Sequence, residues 1–130
     1  MGEFGSDTTP TTTRVHHHRG VAVVEVVGEI DMACDRPIRA AVTDQLDRRP
    51  AALVLDLTRV DFFGSTGIQL VVEAVVKAAD RGVALALATD RRAVLRPLEI
   101  TDVHHMVTIH PTVEDALASV RVDDLSTPHR

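Results

Sequence analysis

The sequence predicts an α/β fold in a single domain, with a mixed, mostly parallel β-sheet and about four helices packed on it. Short, continuously apolar segments alternate with amphipathic segments, and the connections between them are short. Near the N-terminus, a tight turn joins two consecutive strand-like segments. The alternation predicts βαβ units with right-handed crossovers, and the N-terminal hairpin adds an antiparallel strand to the sheet.

The first two strands are predicted over residues 15–19 and 21–30, with a turn at Arg19-Gly20. The second strand begins VAVVEVV, which is β-branched on both faces and therefore typical of a strand covered on both sides. A helix follows, in which we expect Asp35 to be the N-cap, with Pro37 in the first turn. Pro50 ends this helix. Its apolar stripe comprises Ile38, Ala41, Val42 and Leu46.

The second half of the chain repeats the strand–helix alternation. Residues 51–57 and 83–88 are short apolar strands, and a helix over residues 66–80 lies between them. Thr89 or Asp90 is expected to cap a short helix that Pro97 interrupts or kinks. The last predicted elements are an edge strand at residues 107–109 and a helix from Thr112 through Val120, in which Thr112 and Asp115 form a variant capping box.

The folded domain is expected to span residues 14–121. Residues 1–6, MGEFGS, resemble a cloning remnant, and the Thr-rich stretch after them has no apolar groups to bury. Residues 1–13 are therefore predicted to be a disordered tail, and the polar residues 122–130 a flexible one.

Composition excludes several classes of function. Aromatic residues make up 2% of the chain, so it lacks the stacking platforms of single-strand nucleic-acid readers. The net charge of −5 at pH 7 shows that the chain has no excess of Lys and Arg to bind a phosphate backbone. No direct contact with nucleic acid is therefore expected. Apolar runs are far shorter than the roughly 20 residues of a membrane helix, and no signal-peptide pattern is seen. The single Cys34 fits a reducing cytoplasm and is expected to be a buried core residue.

The junction after the strand at residues 51–57 is the more informative of the two main strand–helix loops. It reads TRVDFFGSTG at residues 58–67, and Ser65 stands where the next helix should begin. Ser65 could cap that helix by accepting from the amide of Gly67 or Ile68. Alternatively, its hydroxyl is exposed to another protein, with Gly64 and Gly67 leaving room for close approach. A phosphate cradle is disfavoured because the P-loop Lys and the dinucleotide spacing are both missing.

No catalytic, metal or cofactor site is predicted. The sequence F-G-S-T-G is not the G-x-S-x-G elbow of a serine hydrolase, and no acid–base pair is visible, so the protein is not expected to be an enzyme. His16, His17 and His18 would alternate between the faces of a strand. His104 and His105 have no Cys or carboxylate at ligand spacing, so we expect a solvated strand and loop.

Two motifs carry a resemblance to a known family. GEID at residues 28–31 ends a strand, and LVLDLTRVDFFGSTGIQLV occupies residues 53–71. Together they resemble the STAS domain of bacterial anti-sigma factor antagonists, which has a GELD-like strand end and a D-x-S-[ST]-G-[IL] loop opening a helix. The resemblance covers residues 14–121 and implies a mixed sheet with helices packed on it.

The resemblance implies a phosphorylation switch. Ser65 matches the serine that a partner kinase phosphorylates, Thr66 matches the hydroxyl residue beside it, and Gly64 stands where members commonly have Asp. In this family, the unphosphorylated antagonist binds an anti-sigma factor that is itself a serine kinase, which frees a sigma factor. Phosphorylation reverses the binding, and a phosphatase restores the active form.

The residues expected to contact the partner lie around this serine: Asp31, Phe62, Phe63, Gly64, Ser65, Thr66, Gly67, Gln69, Leu70 and Glu73. Either Leu70 contacts the partner or a neighbouring helix covers it, and Glu73 is spaced to pair with Lys77. Of the two adjacent phenylalanines, one should anchor the loop in the core while the other faces out. Two alternatives remain: a STAS-like binding module without phosphorylation, such as a subunit of a transport assembly, or a small nucleotide-binding domain.

Overall fold

The computed structural model describes the backbone of residues 11–126 and the side chains of residues 11–120. The predicted cloning remnant, the rest of the N-terminal tail up to residue 10, and residues 127–130 lie outside the described residues.

Five strands form one mixed sheet in the spatial order β1-β2-β3-β4-β5. β1 (Thr12–His18) runs antiparallel to β2 (Val21–Glu29). β3 (Ala52–Phe62), β4 (Ala84–Ala88) and β5 (Thr108–His110) follow, each parallel to the strand before it. The predicted mixed, mostly parallel sheet is confirmed.

Four α-helices occur within residues 11–126: α1 (Asp35–Asp47), α2 (Gly64–Arg81), α3 (Arg92–Ile100) and α4 (Val113–Ser126). A short 3₁₀ helix at Val103–His105 precedes β5 and was not expected from the sequence. The number of α-helices agrees with the prediction, while their ends differ from it in several places.

The first strand and the last helix both extend beyond their predicted ends. β1 begins at Thr12, because Thr12 and Thr13 pair with Val27 and Val26. Just before them, the Thr11 hydroxyl donates to the Glu29 carbonyl at 3.0 Å. At the other end, α4 continues to Ser126 instead of stopping near Val120, since no Gly or Pro interrupts it before Pro128.

Helix capping follows the sequence only in part. The hydroxyl of Thr112 accepts from the amide of Asp115 at 3.0 Å, which confirms half of the predicted capping box. Asp35 is not an N-cap: Cys34 holds that position, and Asp35 is the first helical residue. Arg91, and neither Thr89 nor Asp90, precedes α3.

Pro97 lies inside α3 and does not interrupt it, since the helix continues to Ile100. Val94 and Leu98, on either side of the proline, are both fully buried. Their packing offsets the hydrogen bond that a proline removes from a helix.

Both faces of the sheet are covered, as the pattern of β2 predicted. The larger core lies between one face and helices α1, α2 and α3, and contains Val24, Ile38, Leu46, Leu55, Leu70, Leu87 and Leu98 among others. The smaller core lies between the opposite face and α4, and contains Val21, Val23, Ala52, Val54, Ala86, Ala88, Ala116 and Val120.

β3 is longer than its apolar run. The sequence predicted a strand over residues 51–57, but the structure continues it through Phe62, so residues 58–62 are strand and not loop. Only Phe63 then separates β3 from α2. The junction that carries Ser65 is therefore far tighter than predicted.

Candidate functional site

The end of β3 contains two register irregularities. From Glu25–Asp56 to Val27–Arg59, β3 advances one residue more than β2, and it does so again before the pair of Glu29 with Phe62. Bulges of this kind break the strict alternation of side chains and redirect them. As a result, Asp61 and Phe62 are both exposed, although they are adjacent and lie between buried Val60 and buried Phe63.

Arg91 holds this extension of β3 in place. Its Nε donates to the Thr58 carbonyl at 3.0 Å, and its Nη1 donates to Asp61 Oδ1 at 2.8 Å. At the first irregularity, the Asp56 carboxylate accepts from both the amide and the hydroxyl of Thr58. No local pattern in the sequence links Arg91 to Thr58 and Asp61, which lie 33 and 30 positions earlier.

The two adjacent phenylalanines lie in different environments, as predicted. Phe63 is 1% exposed and belongs to the larger core, whereas Phe62 is 51% exposed. Phe63 therefore anchors the junction and does not offer a surface to a partner. Its assignment as a partner contact is corrected.

Helix α2 begins earlier than predicted, at Gly64, with Phe63 as its N-cap residue. Ser65 is the second residue of the helix, so the interpretation of Ser65 as the N-cap is wrong. Its side chain is exposed, and within the described part of the chain no hydrogen bond involves its hydroxyl. Gly64 adopts φ +59°, a conformation that glycine takes without steric cost.

Gly67 is needed for packing inside the protein. A Cβ at this position would lie 2.6 Å from the Phe63 ring, and Gly67 itself is buried. The space beside Gly67 is therefore filled by Phe63 and is not open to a partner. Its assignment as a partner contact is also corrected.

A groove of about 340 Å³ separates the start of α2 from the loop after β2. The amide of Ile30 donates to the Phe62 carbonyl at 2.8 Å, which holds the two segments together. Met32 lies on one side of the groove and is 84% exposed. Sequence reasoning missed Met32, although an apolar side chain directly after GEID was a signal. The groove is lined by Ile30, Asp31, Met32, Ala33, Phe62, Phe63, Gly64, Ser65 and Thr66.

Asp31 supplies the negative charge of this groove. The Cys34 thiol donates to Asp31 Oδ1 at 3.0 Å and is the main reason that the pKa of Asp31 lies below its ordinary value. The amides of Ala33 and Cys34 act in the same direction, while partial burial opposes them. Cys34 is thus half-buried and not the core residue expected, because its thiol faces polar groups.

These features match a known family along most of the chain. The family model described as the STAS domain matches residues 12–116. This chain belongs to the STAS domain family.

Two groups of relatives of this STAS domain are anti-sigma factor antagonists. The anti-sigma-F factor antagonist RsfB of Mycobacterium tuberculosis is 30% identical over 110 residues, covering 85% of this chain and 89% of RsfB. RsfA of the same species, also an anti-sigma-F factor antagonist, is 29% identical over 123 residues, covering 90% of this chain and 96% of RsfA.

The fold agrees equally well with a solved structure. An anti-sigma factor antagonist from Mycobacterium paratuberculosis superposes with a TM-score of 0.82 at 34% identity, covering 88% of this chain and 98% of that one. The class of protein predicted from the two motifs is therefore supported. STAS domains of this class are regulatory binding proteins and not enzymes.

Beyond the groove, most of the α2 side chains predicted to meet a partner instead contact α1 of the same STAS domain. Leu70 is 2% exposed because α1 covers it, so the interpretation with a neighbouring helix is correct and Leu70 is not a partner contact. Glu73 accepts from Arg39 Nε at 2.7 Å, and Lys77 pairs with Asp47 at 3.5 Å, so the predicted pair of Glu73 with Lys77 does not form. Gln69 is exposed.

Five of the seven histidines lie in two clusters, one on β1 and one at the 3₁₀ helix. His16, His17 and His18 are exposed on the edge strand β1, as predicted, and the His17 ring is bonded to Gln45 Oε1 at 2.9 Å. At the 3₁₀ helix, however, Asp102 lies beside His104 and His105, with ligand atoms of all three within 4.8 Å of one another. The expectation that no carboxylate stands at ligand spacing from these imidazoles was wrong, because Asp102 occupies the N-cap position of the 3₁₀ helix that contains them.

Within residues 11–126, none of the helices has both the length and the apolar character needed to cross a bilayer.

Proposed function

We propose that this protein is an anti-sigma factor antagonist that binds an anti-sigma factor with serine kinase activity while Ser65 is unphosphorylated. Phosphorylation of Ser65 ends the binding, and a phosphatase restores it. The exposed Ser65 hydroxyl at the start of α2, beside an apolar groove, is the observation that carries the proposal. Because sigma factors act on RNA polymerase, the proposal also locates the protein in the cytoplasm.

The first turn of α2 suits a phosphoryl group. The amides at the start of a helix have no intrahelical acceptor, and the helix dipole favours an anion there. Ser65, as the second residue of α2, carries its hydroxyl at this end, and it is exposed where Thr66 is half-buried. Ser65 is therefore the proposed site, with Thr66 second.

The groove defines the chemistry of the proposed partner surface. Met32 is 84% exposed and Phe62 is 51% exposed, so both offer apolar surface to a partner. Asp31 adds a carboxylate that is ionised at neutral pH, because its pKa is lowered. An anti-sigma factor that fits this surface presents apolar side chains together with a basic group. Gly64, Thr66, Gln69 and Glu73 extend the proposed contact along the accessible side of α2.

Phosphorylation would oppose docking through charge. A phosphoserine adds roughly −1.5 to −2 charge at pH 7. Ser65 and Asp31 line the same groove, so a phosphate on Ser65 would add its negative charge to that of the Asp31 carboxylate. The apolar contact with Met32 and Phe62 would then require burial of a strongly hydrated dianion, which is unfavourable.

The first test is phosphorylation by candidate anti-sigma factor kinases with ATP, followed by location of the phosphate by mass spectrometry. We expect one phosphate on Ser65, none on Ser65→Ala, and normal labelling of Thr66→Val, the matched control. Absence of phosphate with every kinase encoded beside a sigma factor in the same genome would favour the binding module without phosphorylation.

The second test measures binding to the anti-sigma factor by calorimetry. Phe62→Ala should weaken binding at least about tenfold, because it removes a central apolar contact. Val76→Ala is the matched control: Val76 is 62% exposed, but it lies about three turns along α2 from Ser65. Equal effects of the two variants would contradict the proposed surface.

A further inference from the structure

The turn between α3 and β5 carries a second, independent site. We infer that Asp102, His104 and His105 form a binding site for one divalent transition metal ion of the Zn²⁺ type. The three residues belong to a single short segment, the 3₁₀ helix and the residue that precedes it. The site does not depend on Ser65 or on the proposed partner.

Three ligand atoms already lie near one another. One ligand atom from each residue falls within 4.8 Å of the other two, and His105 Nε2 is 4.0 Å from Asp102 Oδ1. The two imidazole rings are adjacent, with centroids 3.9 Å apart. Ligand atoms of a four-coordinate Zn²⁺ ion each lie about 2.0–2.2 Å from the metal. Side-chain rotations that move these ligand atoms by about an ångström therefore bring all three within reach of one ion.

The ring of His104 is held by a contact at one of its two nitrogens, which leaves the other free to bind a metal. Its Nδ1 is 3.3 Å from the Leu98 carbonyl oxygen, at the end of α3. Because a carbonyl only accepts, the neutral tautomer that makes this hydrogen bond has its proton on Nδ1 and its lone pair on Nε2. Metal-bound histidines typically make this second hydrogen bond, which holds the ring and its tautomer.

The donor set selects the class of metal. Two imidazoles and one carboxylate suit Zn²⁺, Cu²⁺ or Ni²⁺, whereas Mg²⁺ and Ca²⁺ prefer oxygen ligands throughout. The side chains of Asp102 and His105 are 83% and 72% exposed, so water can complete the coordination sphere.

The test must separate this site from the histidines of β1. His16 and His18 lie on one face of that strand and could chelate a metal in a different way. Untagged, chelator-treated protein is titrated with Co²⁺, followed by its visible absorption, and with Zn²⁺ in a calorimeter. The variants are His104→Ala, His105→Ala and Asp102→Asn, and the control is the double variant His16→Ala/His18→Ala.

We expect one equivalent of metal to bind the wild-type protein and the control equally. Each of the three site variants should bind at least about tenfold more weakly. Asn tolerates the positive φ of +63° at position 102, so Asp102→Asn should keep the turn, which circular dichroism checks. Loss of binding in the control alone, equal binding in all variants, or no binding by the wild type at millimolar metal would overturn the inference.

Discussion

Phe62 and Phe63 are chemically identical neighbours with opposite roles in the structure. Phe63 is buried and fixes the start of α2, while Phe62 is exposed beside Ser65. In a regular strand, side chains two residues apart share a face, so Phe62 would be buried like Val60. The register irregularity before Phe62 turns its side chain to the exposed face instead. A single extra residue in β3 thus decides which aromatic ring a partner can reach.

Gly67→Ala should destabilise the protein by about 1–3 kcal/mol, because the added methyl group overlaps the Phe63 ring. The free energy of unfolding is measured with urea. In the background of Phe63→Leu, which removes the ring, the same substitution should cost clearly less. An equal cost in both backgrounds would mean that the overlap with Phe63 is not the cause.

Cys34→Ala should raise the pKa of Asp31 toward its ordinary value, since the thiol hydrogen bond is the main cause of the lowering. A carboxyl group with a lowered pKa stabilises the folded state above its unfolded-state pKa and loses that contribution as pH falls through the folded pKa. The destabilisation by Cys34→Ala should therefore be present at neutral pH and shrink in strong acid. A ¹³C NMR titration of the Asp31 carboxyl group checks the shift, and Cys34→Ser, which keeps a donor, should move it less.

At the scale of elements, helix α2 is held by α1 as well as by the sheet. Arg39 of α1 bonds Glu73 of α2, and Asp47 of α1 pairs with Lys77 and Arg81 of α2. Leu70 is buried in the larger core and lines the same groove between α1 and α2 as Arg39, Glu73 and Lys77. Because α2 packs against α1 as well as against the sheet, it buries Leu70, Val71, Ala74 and Ala78.

Leu70→Ala should cost about 2–5 kcal/mol in the free energy of unfolding, as expected for a large core side chain. The exposed neighbour Gln69→Ala serves as the control and should stay within about 0.5 kcal/mol of wild type. Thermal or urea unfolding measures both. A Leu70→Ala protein of normal stability with weakened partner binding would show that Leu70 acts at the surface after all.

At the scale of the whole molecule, the proposed switch leaves the fold intact. Ser65 is exposed on a helix whose first turn favours anions, and the core beneath it is anchored by Phe63. The two states of the switch should therefore differ in surface charge and not in architecture.

Ser65→Asp should change the free energy of unfolding by no more than about 1 kcal/mol, since the helix terminus favours the charge and Asp31 opposes it. It should nevertheless weaken binding to the anti-sigma factor, and the uncharged Ser65→Asn should bind more tightly than Ser65→Asp. Urea unfolding and calorimetry on the same samples make the comparison. A loss of several kcal/mol in Ser65→Asp would instead indicate that negative charge acts by unfolding the protein.

The sequence by itself determined the order of strands and helices, the mixed sheet and the motifs that led to the family. These depend on local physics: apolar runs, helical periodicity and breakers such as Gly82 and Pro50. The same local signals located the segment around Ser65, although they placed the start of α2 two residues too late.

Only the tertiary structure decided which of those residues face outward. The extension of β3 to Phe62 depends on pairing with β2 and on Arg91, both distant in sequence. The burial of Leu70 depends on α1, and the proximity of Met32 to Phe62 depends on the hydrogen bond from Ile30. Whether a side chain is exposed depends on which other segments pack against it in the fold. Contacts between segments that are distant in the chain leave no periodic signal in the sequence.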